Sequence, residues 1–504
     1  MTSVEFVLPD PELAEYTWVY ENEHGPASQP PLTRGGSFGR PAEESWPPAR
    51  LVINGYSYYR AGPAGEMPMP GTMPDLGDAT AFETWERRWL PEVNALFDAL
   101  TSFDAASVPE GEWRETLDRQ ATEFGRVFAG VHGECVLTSG HLAQDFVDGY
   151  CEALGEARRA DAHALLQGFP NQTLDRAIAL WELGREVRGN PGMQAALRDA
   201  AATGTGLTGH ADFDERFAGF LEEFGHTIDA QVPDAPTWRE DTRPALALVL
   251  RYANEPEDAA PAQAAAEQVA RRERLEQELR ALAESDERAR ELLKGLPGAQ
   301  ELLPVREDHN TLCDQRLGAA SRYRWLGIGR LLMDRRLAEA EGDVFYFALE
   351  ELTETLEGGT PLGTQAIEER RREQAAYRST QPPPVLGQPL AAEASTTGML
   401  RGTGASPGVY RGRARVIRSL AEADRLGHGE ALVCGVTAPT WTPYFAVAGA
   451  VVTDAGGALS HTAVVAREYG IPAVVGTRTG TRAIEDGTLI EVDGSEGTVR
   501  FLQG

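Results

Sequence analysis

Lysine is almost missing from this chain. Of 47 basic residues only Lys294 is a lysine, and the remainder are arginine. Nucleotide phosphates are commonly held by lysine, and no G-x-x-x-x-G-K-[ST] run occurs, which excludes a P-loop. Cysteine is scarce as well. Cys135, Cys151, Cys313 and Cys434 are scattered without metal or redox spacing, so reduced thiols in a cytoplasmic protein are expected, and no metal ligands. No window of eighteen or more apolar residues exists to span a bilayer, and the opening VEFVLPDPELAEY is too short and too acidic for a signal peptide. Positive charge is outweighed by 77 acidic residues, for a net charge of −30. Nucleic acid and anionic membrane surfaces are therefore poor partners.

With 504 residues there is room for two or three domains with real cores. The most informative stretch is 456–476, GGALSHTAVVAREYGIPAVVG. Ala450-Val451-Val452 before it predicts a buried strand, HTAVVAREY has helical spacing, and Ala473-Val474-Val475 predicts a second strand. His461 then stands at a helix N-terminus behind Gly456 and Gly457, whose missing side chains let another molecule approach the backbone. Free N–H groups and the helix dipole favour an anion there, phosphate above all. A neutral imidazole is nucleophilic near pH 7, so such a histidine is able to take up a phosphoryl group and pass it on. The competing reading is a histidine that merely caps the loop.

Elsewhere the chain reads as mostly helical. Residues 1–75 are rich in proline and aromatics and are expected to wrap over a domain, with Val52–Tyr59 as a short strand. Trp18, Tyr56, Tyr58 and Tyr59 would pack there or wall a ligand. From about 80 to 250 apolar residues recur at helical spacing. GTGLTG (204–209) follows a helical stretch and not a strand, so a loop is expected and not a dinucleotide site. Residues 257–295 predict a charged arm, with Glu267/Arg271, Glu276/Arg280 and Glu284/Arg288 paired at i,i+4 and a solvated outer face. A helix entered through Asp343, another over 364–377, and a semi-extended linker over QPPPVLGQPLAAEASTTG complete this part. After the linker, short strands and helices alternate in a compact α/β unit. The expected architecture is a large, mostly helical domain (1–377), a Pro-rich hinge (378–398) and a small C-terminal α/β domain (399–504).

The segment TDAGGALSHTAVVAREYGIPAVVG, together with GTGASPGVYRGRARVI (402–417), resembles the phosphohistidine swivelling domain of PEP synthases, pyruvate phosphate dikinases and rifampin phosphotransferases. The resemblance implies that His461 is the catalytic, phosphate-accepting residue, with Gly456, Gly457 and Ser460 as its phosphate loop. One departure is Leu459, where the dikinases have a regulatory threonine; control by phosphorylation at that position is not expected. YENEHGPASQPPLT, INGYSYY, FLEEFGHTIDAQVPDAPTW and LPVREDHN…GDVFYFALEEL resemble, more loosely, the acceptor-binding domain of rifampin phosphotransferases and phenylphosphate-synthase-like enzymes. That implies a transferase (kinase) in which a separate ATP-grasp subunit, holding ATP and Mg²⁺, charges His461. The histidine would then swivel to a small hydroxylated acceptor, a class that includes phenols. His226, Arg306 and His309 are the candidate acceptor-binding residues, with Glu307 in the same polar cluster. A helix-capping histidine is the competing reading for His226. Arg322 and Arg324 read as surface or interdomain charges, and Arg467 as a residue that ties its domain together. Three other readings stay open: a phosphocarrier or regulatory protein, a ligand-binding scaffold with a vestigial histidine, and a phosphorylation-driven dehydratase.

Overall fold

The computed structural model describes all residues except 1–3, 22–26, 35–47, 62–79, 205–207, 230–231, 390–397, 459 and 503–504. Half of the GTGLTG loop, much of the expected linker and the Leu459 position therefore lie outside the described residues. As expected, a large helical domain is followed by a small α/β domain.

Polar residues placed where helices begin start many of them. Thr80 and Glu83 form a reciprocal capping box before Ala81–Thr84, and the Asn171 side chain accepts from Leu174 N at the head of Gln172–Val187. Three helices are interrupted by π-helical turns, one of them at Trp85–Trp89 between Ala81–Thr84 and Leu90–Thr101; the other two border the site. One runs Trp113–Gly130, through the π segment Val131–Leu137, into Thr138–Leu154. The other runs Leu302–His309, through Asn310–Gln315, into Arg316–Asp334. Trp85, Trp89, Trp113, Val127, Leu317 and Trp325 belong to the core beneath them. Arg322 and Arg324, read from sequence as surface or interdomain charges, are buried in this region. Arg322 forks onto Glu240, with its Nε 2.8 Å from Oε2 and its Nη2 2.8 Å from Oε1; Arg324 lies over the Trp325 ring at 4.0 Å. Planar guanidinium groups tolerate burial when they are paired or stacked in this way.

The charged arm is a hairpin of helices Pro261–Ala283 and Glu287–Gln300. Leu275, Leu279, Leu292 and Leu296 bury its inner side against a cluster containing Phe146, Tyr150 and Leu165. Of the three expected pairs, Glu276–Arg280 forms at 3.3 Å, whereas Arg271 faces Asp161 at 3.6 Å and Arg288 faces Asp286 at 3.9 Å. Nor is the arm's polar face wholly solvated: Gln268 and Arg272 make contacts described below. The helix expected after Asp343 is split into a 3₁₀ turn, Glu341–Tyr346, and a helix, Leu349–Leu356. The Asp343 carboxylate accepts from Glu339 N and Ala340 N, both at 2.9 Å.

The N-terminal segment is more ordered than its prolines suggest. Arg50–Ile53 and Tyr56–Ala61 form a hairpin across Asn54-Gly55, both at positive φ (55° and 79°), as a tight two-residue turn requires. Thr17–Tyr20 adds to Tyr56–Ala61, and Val385–Gly387, from the expected linker, adds to Thr17–Tyr20. The start of the linker is thus pinned. The Tyr56 hydroxyl donates to Tyr377 O at 2.8 Å and that of Tyr58 to Pro383 O at 3.0 Å. Trp18, Tyr56 and Tyr58 pack in the core of this small sheet.

The C-terminal domain has an eight-stranded sheet. Its centre is parallel, in the order Val409–Val416, Ala431–Cys434, Ala450–Thr453 and Ala473–Val475; antiparallel strands flank it. Edge strands Met399–Arg401 and Thr403–Ser406 are separated only by Gly402, so the sheet curls until its edges adjoin. A Cβ at Gly402 would come within 2.4 Å of Val475 O. All four cysteines are buried and free, and no described helix is long and apolar enough to cross a membrane.

Candidate functional site

His461 is the first residue of helix His461–Glu468, and the Ser460 hydroxyl caps that helix by accepting from Ala463 N at 3.3 Å. The preceding turn needs glycine: Gly456 has φ +100°, and a Cβ there would meet Ser460 Oγ at 2.8 Å. Asp454 braces the loop by accepting from Thr481 N at 3.0 Å, and Thr462 bonds Thr437 through their hydroxyls at 2.8 Å.

The α/β domain is docked on the helical one. Trp441, Tyr444, Phe445 and Ala466 share an apolar cluster with Leu180, Trp181, Leu248 and Tyr252. The Arg251 guanidinium lies over the Tyr444 ring at 4.4 Å. Gln268 of the charged arm donates to Arg467 O at 3.1 Å and Glu468 O at 3.2 Å, and Gly168 N donates to the Glu468 carboxylate at 3.2 Å. Burial raises the Glu468 carboxyl to about 7. Arg467, read from sequence as tying its own domain together, is buried, but its Nε and Nη2 make no hydrogen bond among the described residues.

Docking brings His461 against Glu307. Their closest approach is 3.0 Å, from Nδ1 to Oε2. Thr173, in the first turn of Gln172–Val187, donates its hydroxyl to the same carboxylate at 2.7 Å. Burial alone would raise the Glu307 carboxyl, but His461, Thr173 and Arg306 together hold it below the usual carboxylate range. With Nδ1–H directed at a carboxylate, the neutral imidazole keeps its lone pair on Nε2. That atom is buried and has no hydrogen-bond partner among the described residues.

The pair borders a cavity of about 510 Å³ between the domains. Arg50, Arg306 and Gln315 line it with polar groups, and Tyr59, Phe128 and Val232 with apolar ones. Arg176 lies behind Glu307, fully buried, and burial lowers its guanidinium to about 10.

Among the residues expected from sequence, Ser460, His461, Arg306 and His309 line this cavity together. Gly456 and Gly457 shape the loop leading to it. His226 does not line it. Its ring packs edge-on against Phe97 at 4.9 Å and bonds the Tyr323 hydroxyl at 3.2 Å, and burial pushes it down to about 4. Of the N-terminal aromatics proposed as a ligand wall, Tyr59 alone reaches this cavity. His132, Thr173, Asp314 and Arg176 were not singled out from sequence. Each is far in the chain from His461, and no local motif surrounds it.

Residues 426–497 match the mobile domain of PEP-utilising enzymes, and residues 132–307 match the fourth domain of rifampicin phosphotransferase. The chain is 33% identical to chondramide synthase cmdD of Chondromyces crocatus over 90% of its own length and 13% of that protein's. It is 29% identical to a rifampicin phosphotransferase of Streptomyces sviceus, over 70% of this chain and 42% of the relative. The phosphoenolpyruvate synthase of Aeropyrum pernix is 50% identical over 102 residues, 20% of this chain and 12% of the synthase. The chain therefore spans less than half the length of each of these relatives. The chain thus carries a PEP-utilising enzyme mobile domain (residues 426–497) behind a helical region similar to the fourth domain of rifampicin phosphotransferase (residues 132–307).

Proposed function

We propose that this protein is a phosphotransferase that carries a phosphoryl group on Nε2 of His461 and delivers it to a hydroxyl of a small acceptor in the interdomain cavity. The observation that carries the reading is the contact between His461 and Glu307, which joins a nucleophile at a helix N-terminus to a buried carboxylate at the cavity wall.

Charging begins with the mobile domain undocked. The Nε2 lone pair attacks the phosphorus of a nucleotide held with Mg²⁺ on a separate ATP-grasp subunit, forming the N–P bond as the nucleotide leaves. The loop of Gly456, Gly457 and Ser460 and the first turn of the helix receive the phosphoryl oxygens. On docking, the acceptor oxygen attacks the phosphorus and the N–P bond breaks. The electron pair returns to Nε2, and the hydroxyl proton passes to the Glu307 carboxylate. Arg50 and Arg306 supply positive charge from the cavity wall. Tyr59 and Phe128 favour an acceptor with an apolar or aromatic face.

The test is acid-labile phosphate. The chain is incubated with ATP and Mg²⁺, with and without an ATP-grasp protein from the same source, and His461→Ala serves as the control. Label on the wild type alone supports the reading. Absence of label under every condition would overturn it.

A further inference from the structure

The π turns Val131–Leu137 and Asn310–Gln315, with His309 just before the second, bring together on the cavity wall three side chains the transfer scheme leaves unused: His132, His309 and Asp314. Their ligand-type atoms lie within 4.8 Å of one another. His309 and Asp314 are five residues apart, which an α-helix would place on different faces. The wider π turn over Asn310–Gln315 brings them to one side. His132 comes from the other π turn, Val131–Leu137.

The orientation of both rings is set from behind. His132 Nδ1 donates to Phe128 O at 2.8 Å, and His309 Nδ1 donates to Val305 O at 3.1 Å. Phe128 also stacks on His132, with ring centroids 4.1 Å apart. Each ring so held presents Nε2 to Asp314, at 3.6 Å from Oδ1 for His132 and 3.7 Å from Oδ2 for His309. Backbone carbonyls holding the far nitrogen are the usual support of metal-bound histidines. Ligand atoms about 2.1 Å from a tetrahedral ion lie roughly 3.4 Å from each other, near the separations seen here. The side-chain oxygen of Asn310, next to His309 and also on the cavity wall, is buried without a hydrogen-bond partner among the described residues.

We propose that His132, His309 and Asp314 bind one divalent transition-metal ion, of the zinc, cobalt or manganese kind, with its open positions turned to the acceptor cavity. Two imidazoles and one carboxylate suit such ions better than Mg²⁺ or Ca²⁺, which favour oxygen-rich sites. Resting on the phosphotransferase reading, the ion would bind and orient the acceptor's hydroxyl oxygen and make its proton more acidic.

The site is tested on the full chain, stripped with a chelator and titrated with Co²⁺ while visible absorption is followed. One equivalent of Co²⁺, displaced by Zn²⁺, is expected. His132→Gln and Asp314→Asn should each weaken binding at least tenfold, with metal-free melting curves matching the wild type to show that they fold. His461→Ala should bind Co²⁺ normally, which separates this site from the phosphate-carrying one. Absence of stoichiometric binding, equal binding in folded variants, or loss of binding in His461→Ala would each overturn the proposal. Because the readout is metal uptake, it stands or falls apart from phosphorylation of His461.

Discussion

The Glu307 carboxylate meets His461 Nδ1 at 3.0 Å across the boundary between two domains. His461 belongs to the small α/β domain and Glu307 to the helical one. In the proposed cycle this contact forms only on docking.

Replacing Glu307 by glutamine removes the charge and keeps a hydrogen-bonding side chain of similar size. Labelling of His461 should persist, because it takes place away from Glu307. Transfer to the acceptor should slow by about a hundredfold, the usual scale for loss of a positioned base. Single-turnover measurements of label gain and label loss check the two steps separately.

Docking should weaken as pH rises. Glu468 has a carboxyl near 7 when docked, raised by burial from an ordinary value of 4.5. Below about 4.5 it is protonated in both states and opposes nothing. Between 4.5 and 7 only the undocked form ionises, so docking loses ground, and above 7 the loss levels off at roughly a hundredfold or more. Small-angle scattering should show a more extended particle at pH 8 than at pH 5. Glu468→Gln should flatten that dependence.

Gly456→Ala should impair charging without unfolding the protein. The residue sits at φ +100° and its new methyl would press on Ser460 Oγ, the cap of the helix that begins at His461. Phosphohistidine formation should fall at least tenfold, while the melting temperature moves by only a few degrees, as for a strained loop position costing about 1–3 kcal/mol.

Tyr59→Ala and Phe128→Ala enlarge the apolar side of the cavity. Both should raise the acceptor KM and leave labelling of His461 unchanged, since neither residue belongs to the carrier domain. Steady-state kinetics with any accepted phenol or alcohol gives the split.

The carrier was legible in the sequence because its parts are contiguous: strand, glycine turn, capping serine, histidine and helix fall within about 25 residues. Its partner was legible only as a residue type. Glu307 stood out in a polar cluster, but nothing local links it to a histidine 154 positions away. The metal candidates were hidden by a change of period, because five-residue spacing signals one face only in a π turn. Val385–Gly387 was concealed by prolines on one side and by its length, too short for any alternation to show. Arg322 and Arg324 misled for a related reason: what permits their burial, Glu240 and the Trp325 ring, is a matter of tertiary neighbours or stacking and not of composition.

The short strand Val385–Gly387 also sets a leash. In the proposed cycle, as long as it stays paired with Thr17–Tyr20, the α/β domain would travel only from Gly387 onward, and its first strand begins at Met399. Twelve residue steps reach at most about 40 Å when fully extended. Any site that charges His461 must therefore come within that radius of the anchor, plus the breadth of the domain itself. The geometry of the assembly is thus rationed by three backbone-paired residues near the N-terminal sheet, far from the phosphate they constrain.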